Sequence, residues 1–484
     1  MRALKPVVLA MALAGSASVD AAGLPVELAQ TLQQMQDRLD RLEVRNAELE
    51  RQLAAPSAAA LETRVQQMES DNLKLEASFA SERLSQDEPE LATRLKAMEA
   101  DMGRLGPAGR LAEAVEGISA GGALTLVAQH ASKLDPAATS DPSQLSWRGD
   151  VEVGMPGGEV GNAKGQFFFH LRMGQGDGVE QAGGSPVNAT AFDATHSDPS
   201  NVHAVLAQAW YQLNVPLPLG GFKGASREHL EATFGKMDPY GFFDGNDASN
   251  NETTQYLNLN FVHNPLLDAG GGAVFDSYGF TPGMRLAYVN ETNAPLTWGV
   301  SYGLFATGGG AAFVDSFEKP LHILQLERTH KLFGGRDGHF RLYGWHTGQG
   351  TVHDGSLEKQ SGLGVSADQR VGDGIILWGR YGYSLKGAPM YDRAVTLGAS
   401  FSGSYWNRAA DSLGVAVAHL AVSDAYRATL ADPAGAEQTV ELYYNWQATP
   451  SLMLTPDLQF IRHAAADKAN GNSNVAGLRA ALSF

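Results

Sequence analysis

A chain of 484 residues with 43% hydrophobic content and a mean hydropathy of −0.20 has the bulk character of a water-soluble protein. No run approaches the ~18 consecutive apolar residues of a membrane-crossing helix. The absence of cysteine excludes disulfide frameworks, thiolate metal sites, cysteine nucleophiles and a lipid anchor on an N-terminal cysteine, and the net charge of −17 excludes the basic stripe that nucleic acid requires.

The first element is an export signal over residues 1–22. Arg2 and Lys5 form its charged end, Val7 to Gly15 its short apolar core, and small residues lead to cleavage near Ala21 or Ala22. A periplasmic coiled coil is expected over 23–110. Leu28, Leu32, Met35, Leu39, Leu42, Asn46, Leu49 and Leu53 alternate four and three apart, with charges on the other faces. After Pro56 a second seam runs through Leu61, Val65, Met68, Asn72 and Leu75. Asn46 and Asn72 fall at a positions, where a buried amide costs stability but fixes register between chains. A third, weaker seam ends at Gly106 and Pro107, a helix stop. The reading favoured is self-association as a homotrimer; a helical hairpin within one chain uses similar seams. Residues 111–122 read as a linker.

From Ala123 to the C-terminus the period switches from seven to two. Phe167, Phe169, Leu171 and Met173 alternate with Gln166, Phe168, His170 and Arg172, and Leu145, Trp147, Val151 and Val153 with Arg148, Asp150 and Glu152. Such strands suit a wall with lipid on one side and water on the other. About sixteen of them start near 123, 145, 164, 202, 228, 280, 296, 321, 338, 361, 375, 394, 412, 438, 451 and 474, an even number in the porin range. The fold class is thus an all-β transmembrane barrel of about 16 antiparallel strands, preceded by an α-helical coiled coil. Short links fall on one end of the strands and long ones, 175–201 and 238–279, on the other. With both termini periplasmic, the long links lie outside the cell. The longest, 238–279, is the third outer loop and too long for a plain connection, so it is the candidate to fold inward. Thr253 to Phe261 alternates like a strand, but counting it would make the total odd and invert the loops beyond.

The stretch FGKMDPYGFFDGNDASNNETTQYLN, followed by HNPLL, HFRLYGW, RAADSLGVAVAH, VELYYNWQATPSLMLTPDLQFIRH and GLRAALSF, resembles the carbohydrate-selective porins of the OprB type. The resemblance spans most of 123–484 and implies passive, sugar-favouring diffusion through a barrel of about sixteen strands.

Alternation also names the groups facing the water. It places Arg148, His170, Arg172, Arg285, Arg341, Arg380 and Arg479 inward, with Glu152, Glu231, Glu327, Glu441 and Asp457 among them and Trp210, Trp345 and Trp378 on the same side. The loop adds Asp238, Tyr240, Phe242, Phe243, Asp244, Asp247 and Glu252. Loop acids opposite wall arginines would set a transverse field, and the aromatic rings would offer sugar rings a stacking path. The alternative is that the arginines and acids brace the wall while the aromatics pack beneath the loop. Gly299-Val-Ser301-Tyr-Gly303 imitates a nucleophile elbow but lies mid-strand, so no catalysis is expected. The cluster Asp244, Asn246, Asp247 and Glu252 lacks the glycine and ligand spacing of a calcium loop, so no metal and no cofactor are expected. The reading is a pore in the bacterial outer membrane, set among lipid and lipopolysaccharide, that passes sugars and similar small polar solutes. A general or anion-preferring pore is the alternative, as is an envelope tether whose coiled coil grips peptidoglycan.

Overall fold

The computed structural model describes residues 118–135, 141–191, 200–218, 226–268 and 271–484. The signal, the coiled coil with Asn46 and Asn72, and most of the 111–122 linker lie outside these residues.

The described chain is one barrel of sixteen antiparallel strands. They are β1 (Ser119–Ala131), β2 (Ser143–Val160), β3 (Ala163–Gln175), β4 (His203–Pro216), β5 (Glu228–Met237), β6 (Thr281–Asn293), β7 (Leu296–Phe305) and β8 (Leu321–Leu332), then β9 (Arg336–Thr351), β10 (Leu357–Gly372), β11 (Ile375–Lys386), β12 (Tyr391–Ser402), β13 (Ser412–Val422), β14 (Ala436–Thr449), β15 (Leu452–Arg462) and β16 (Asn472–Ser483). Each pairs with its sequence neighbours, and β1 closes on β16 with Val127 opposite Arg479. Closure removes every sheet edge, which is what allows a polar backbone to cross hydrocarbon. Among the described residues no helix is long and apolar enough to cross a membrane.

Burial follows the alternation. In β3, Phe167, Leu171 and Met173 are exposed while Phe168 and His170 are buried, and in β8 Leu324 and Leu326 are exposed while Ile323 and Gln325 are buried. Exposed Trp298, Tyr302, Tyr381, Tyr383 and Trp446 add the aromatic surface that interfacial girdles require. Leu326 lies halfway along β8 on the outward face. Leu326→Arg is therefore expected to destabilise the barrel by about 2–4 kcal/mol in bilayers, the depth-dependent cost of a midplane arginine. Urea unfolding in liposomes measures this, with Leu332→Arg at the strand end as a milder comparison.

The barrel begins earlier than the alternation indicates. Gly122 exchanges two backbone hydrogen bonds of 3.0 Å with Phe484, and Gly121 pairs with Glu152, so 119–122 belong to β1 rather than to the linker. Ser-Ala-Gly-Gly has no large side chain to sort between the faces, and hence no signal. The connections 161–162, 294–295, 333–335, 373–374 and 450–451 are tight, whereas 176–202, 238–280 and 306–320 at the other end are long. The rule has exceptions in 217–227 and 403–411 at the tight end and 352–356 and 387–390 at the long end. Thr253 to Phe261 forms turns and the start of a one-turn helix, α1 (Leu259–Val262), not a strand.

Candidate functional site

The connection 238–280 folds into the barrel and is fastened to its inner wall. It leaves β5 through a 3₁₀ turn at Pro239–Gly241, which Asp238 caps by accepting a hydrogen bond from the Tyr240 amide at 2.9 Å. At Asp244, whose φ of 61° is left-handed, the carboxylate accepts from the Asn264 amide at 2.6 Å and from the Tyr343 hydroxyl at 2.6 Å. Residues 245–263 are thus an excursion closed at its neck. The same carboxylate lies 3.0 Å from Arg380 Nε on β11. The Arg380 guanidinium donates to the carbonyls of Asp244, Ser249 and Phe261 and to the Ser249 hydroxyl, between 2.5 and 3.1 Å. One buried arginine therefore gathers three turns of the excursion, satisfying carbonyls that no helix or sheet would use.

The remaining attachments run around the wall. Arg341 on β9 and Ser366 on β10 donate to the Gly245 carbonyl at 2.9 and 2.8 Å. The Glu441 carboxylate on β14 accepts from the successive amides of Leu257 and Asn258 at 2.6 and 2.9 Å. Arg479 on β16 donates to the carbonyls of Glu252 and Gln255, both at 2.8 Å, and Arg148 on β2 meets the Glu252 carboxylate at 2.7 Å. Close approach is possible because the wall offers glycine beneath the loop. A Cβ on Gly382 would lie 2.5 Å from the Asn264 side chain, and one on Gly303 would lie 2.8 Å from the Phe243 ring.

Inward orientation holds for the wall residues named from alternation, but their partners differ from the expectation. Arg148, Arg341, Arg380 and Arg479 are buried against the loop itself rather than facing its acids across an open gap. The imagined transverse field is replaced by contact pairs, because the loop lies on the wall. Arg285 pairs with Glu231 at 2.5 Å and lies over the Phe242 ring, while Glu327 is 3.8 Å from Arg341. Asp457 is buried beside Gln459, which donates to it at 3.0 Å. The aromatics are likewise anchors rather than an exposed path. Tyr240, Phe242 and Phe243 are buried in one apolar cluster with Trp210 and Trp345, and Trp378 packs with Tyr256, Phe261 and Tyr443. Burying such rings stabilises the loop by about 1.5–3 kcal/mol each.

Alternation alone overlooked three features. Asp150 collects Arg148, His170 and Arg172, each at 2.8 Å, and the register that sets Asp150 opposite Arg172 was the available signal. Tyr256, read only as part of a false strand, donates to the Val415 carbonyl at 3.0 Å and crowns the second aromatic cluster. Residues 176–191 of the connection after β3 also turn inward. Ala189 accepts from Gln129 and Gln459 at 3.2 and 2.8 Å, and Ala191 donates to the Leu257 carbonyl at 2.6 Å, joining the two loops.

Asp247, His339 and Asp368 bring one ligand-type atom each within 4.8 Å of one another. The Asp368 carboxylate is already engaged, with His339 Nδ1 at 2.8 Å and Arg341 at 3.4 Å. It serves as a further loop-to-wall junction. Glu252 gives the junction at β2 a measurable pH dependence. Burial alone would raise its carboxyl, but Arg148 and Arg172 outweigh that and hold it below the ordinary glutamate range. A depressed folded-state value contributes stability that is fully present above the unfolded value of about 4.3 and is lost as pH falls through the folded value. Glu252→Gln should therefore destabilise by about 1–3 kcal/mol at neutral pH, the range for a charge-assisted hydrogen bond. The difference from wild type should vanish in acid, as read from thermal unfolding of the detergent-solubilised protein.

Among solved structures, one of Pseudomonas putida OprB at high pH aligns with a TM-score of 0.61 at 17% identity, covering 78% of this chain and 96% of that chain. The low-pH structure of the same protein gives a TM-score of 0.44 at 16% identity over 78% and 97%. A mutant Rh. blastica porin gives 0.42 at 12% identity over 76% and 100%. No curated protein matches the chain. The family described as carbohydrate-selective porin, OprB family, matches residues 166–484, from β3 to the last residue. With its sixteen-stranded closed wall and inward-folded third loop, the chain belongs to the carbohydrate-selective porins of the OprB family, transport proteins of the outer membrane and not enzymes.

Proposed function

We propose that the protein is a passive route for sugars and similar small polar solutes through the barrel, narrowed by the inward loop. The observation that carries this reading is the fastening of 238–280 to β8–β16 and β2 by hydrogen bonds from the wall arginines. Arginines paired with carboxylates, as Arg148 with Glu252 and Arg380 with Asp244, leave little net field for ions where the loop is fastened. Polar groups of the inner wall are satisfied by one another in the same way, as Gln212 with Thr233 at 3.0 Å and Arg285 with Ser301 at 3.1 Å. Uncharged polyols are the solutes that such a surface serves best, since hydroxyls exchange hydration for planar and hydroxylic partners.

Liposome swelling with mono- and disaccharides, together with reversal potentials in salt gradients, tests the reading. Sugar permeation with a small reversal potential supports it. Strong anion selectivity without sugar permeation or block would replace it with the anion-preferring pore.

For the N-terminal part, the charged start and short apolar core support a signal over 1–22, and the heptads a periplasmic coiled coil over 23–110, held in register by Asn46 and Asn72, that assembles three copies. Deleting residues 24–110 separates the roles. Retained sugar flux with loss of trimer assigns the segment to assembly, and retained flux with loss of cell-wall attachment assigns it to a peptidoglycan tether.

A further inference from the structure

Toward the tight-turn end of β9 and β10, one junction between loop and wall differs from the others in its chemistry. The other fastenings set a donor against an acceptor, but at Asp247 a loop carboxylate stands against a wall carboxylate, Asp368 on β10, with His339 of β9 beside both. Register brings the two wall residues together, since His339 is the partner of Asp368 and directly paired residues share a face.

The geometry is that of a cation site. His339 Nδ1 is 2.8 Å from Asp368 Oδ1 and 3.6 Å from Asp247 Oδ1, and the three ligand-type atoms lie within 4.8 Å of one another. Metal–ligand bonds of about 2.0–2.2 Å set the donor atoms of a tetrahedral site roughly 3.4 Å apart, so these atoms already stand near the span that such an ion needs. The Asp247 carboxylate accepts no hydrogen bond among the described residues. With Glu327, which is 3.8 Å from Arg341, three acids here meet two guanidinium groups, Arg341 and Arg370, and one negative charge is left over when the imidazole is neutral.

The donors are held in place from behind. Asn246 donates to the Ser366 hydroxyl and the Ala367 carbonyl at 3.3 and 3.2 Å, Gln255 donates to the Asp247 carbonyl at 2.9 Å, and Arg341 lies 3.4 Å from Asp368. The side chains of Asp247 and His339 are 21 and 20% exposed and that of Asp368 3%, so the cluster opens to the lumen on one side and is closed by the wall on the other. A hollow lined in part by Thr297, Glu327, Thr329 and Arg341 borders His339 and gives water room to complete a coordination shell.

We propose that Asp247, His339 and Asp368 bind a divalent first-row transition-metal ion such as zinc, taken from the water of the lumen, and that the ion ties the loop to β9 and β10. One imidazole nitrogen with two carboxylate oxygens favours this class over magnesium and calcium, which take oxygen ligands. Binding replaces the hydrogen bond between His339 and Asp368: Nδ1 releases its proton to solvent and offers its lone pair to the ion, while Nε2 keeps its proton. This inference does not depend on which solute the pore prefers.

The test titrates the tag-free, detergent-purified full chain, first stripped with a chelator, with zinc chloride in a calorimeter and with cobalt(II) chloride followed by visible absorbance. Wild type should bind one ion at this site. His339→Gln, which keeps a donor for Asp368, and Asp247→Asn should each weaken zinc binding roughly tenfold or more and remove the cobalt absorbance. The pair His322→Gln/His346→Gln, whose rings stack 6.4 Å apart on the outward face, controls for surface histidines and should bind like wild type. Zinc should also raise the unfolding temperature of wild type and not that of His339→Gln. Heat-modifiable electrophoretic mobility like that of wild type shows that each variant still folds. No zinc binding by wild type, unchanged binding in either His339→Gln or Asp247→Asn, or loss of binding in the outward variant would overturn the proposal. Equal affinity of wild type for magnesium would overturn it as well, as the mark of a plain acidic surface.

Discussion

Arg380→Ala is expected to loosen the constriction and to lower barrel stability by about 3–5 kcal/mol, the cost of removing one partner from a buried ion pair. The side chain is 0% exposed, as is that of Asp244 opposite it, so water does not take over when the guanidinium is lost. Five loop acceptors, the carbonyls of Asp244, Ser249 and Phe261, the Ser249 hydroxyl and the Asn250 side-chain oxygen, lose the arginine at once. Chemical unfolding should report the loss, and single-channel records should show larger, noisier conductance as the loop leaves the wall. Asp244→Asn gives the matching half of a double-mutant cycle, because asparagine tolerates the left-handed backbone at that position. A coupling energy near zero would mean that the two residues do not hold the loop together.

Excising residues 245–263 and joining Asp244 to Asn264 through a two-residue glycine link is expected to raise conductance by severalfold while the barrel still folds. The cut is geometrically mild, because the Asp244 carboxylate already touches the Asn264 amide at 2.6 Å. What disappears is the segment that occupies Arg148, Arg341, Arg479 and Glu441. Three cationic side chains without their loop partners, against one carboxylate, should move the reversal potential towards anion selectivity. Discrimination among sugars of different size should fall in the same variant. An excised protein with wild-type conductance and selectivity would show that the segment does not limit the passage.

The strands were legible because each one sorts its own side chains. Phe167, Leu171 and Met173 against Phe168 and His170 require no knowledge of any neighbour. Even the decision to leave out Thr253–Phe261 came from counting strands, and the turns and short helix there agree with it. Where side chains are too small to sort the alternation gives no signal, as at Ser119–Gly122, whose place in β1 rests on backbone pairing with β2 and Phe484.

The site was legible in direction and not in partnership. Alternation gives the face on which Arg341 or Arg479 stands, but it cannot say whether that face meets water or a folded loop. The distinction is set by pairs such as Arg479 with Gln255, which are 224 positions apart in sequence. The aromatics of the loop misled for the same reason: Phe242 or Tyr240 on a polar segment suits solute stacking and packing against Trp210 alike, and only the cluster decides. The inward turn of 176–191 had no signature beyond length, since its wall contacts run through the Ala189 backbone and through small side chains such as Ser185, which donates to Glu437 at 2.7 Å.

The seat of 238–280 inside the barrel is most directly tested by cross-linking, for which a chain without cysteine is a clean background. The side chains of Asn246, on the loop, and Ser366, on β10, approach to 3.3 Å. In the double variant Asn246→Cys/Ser366→Cys, inserted in outer membranes, the two thiols should join under a short thiol cross-linker and resist a bulky impermeant maleimide added from outside. Rapid labelling of residue 246 by that maleimide, with no cross-link to residue 366, would contradict the account.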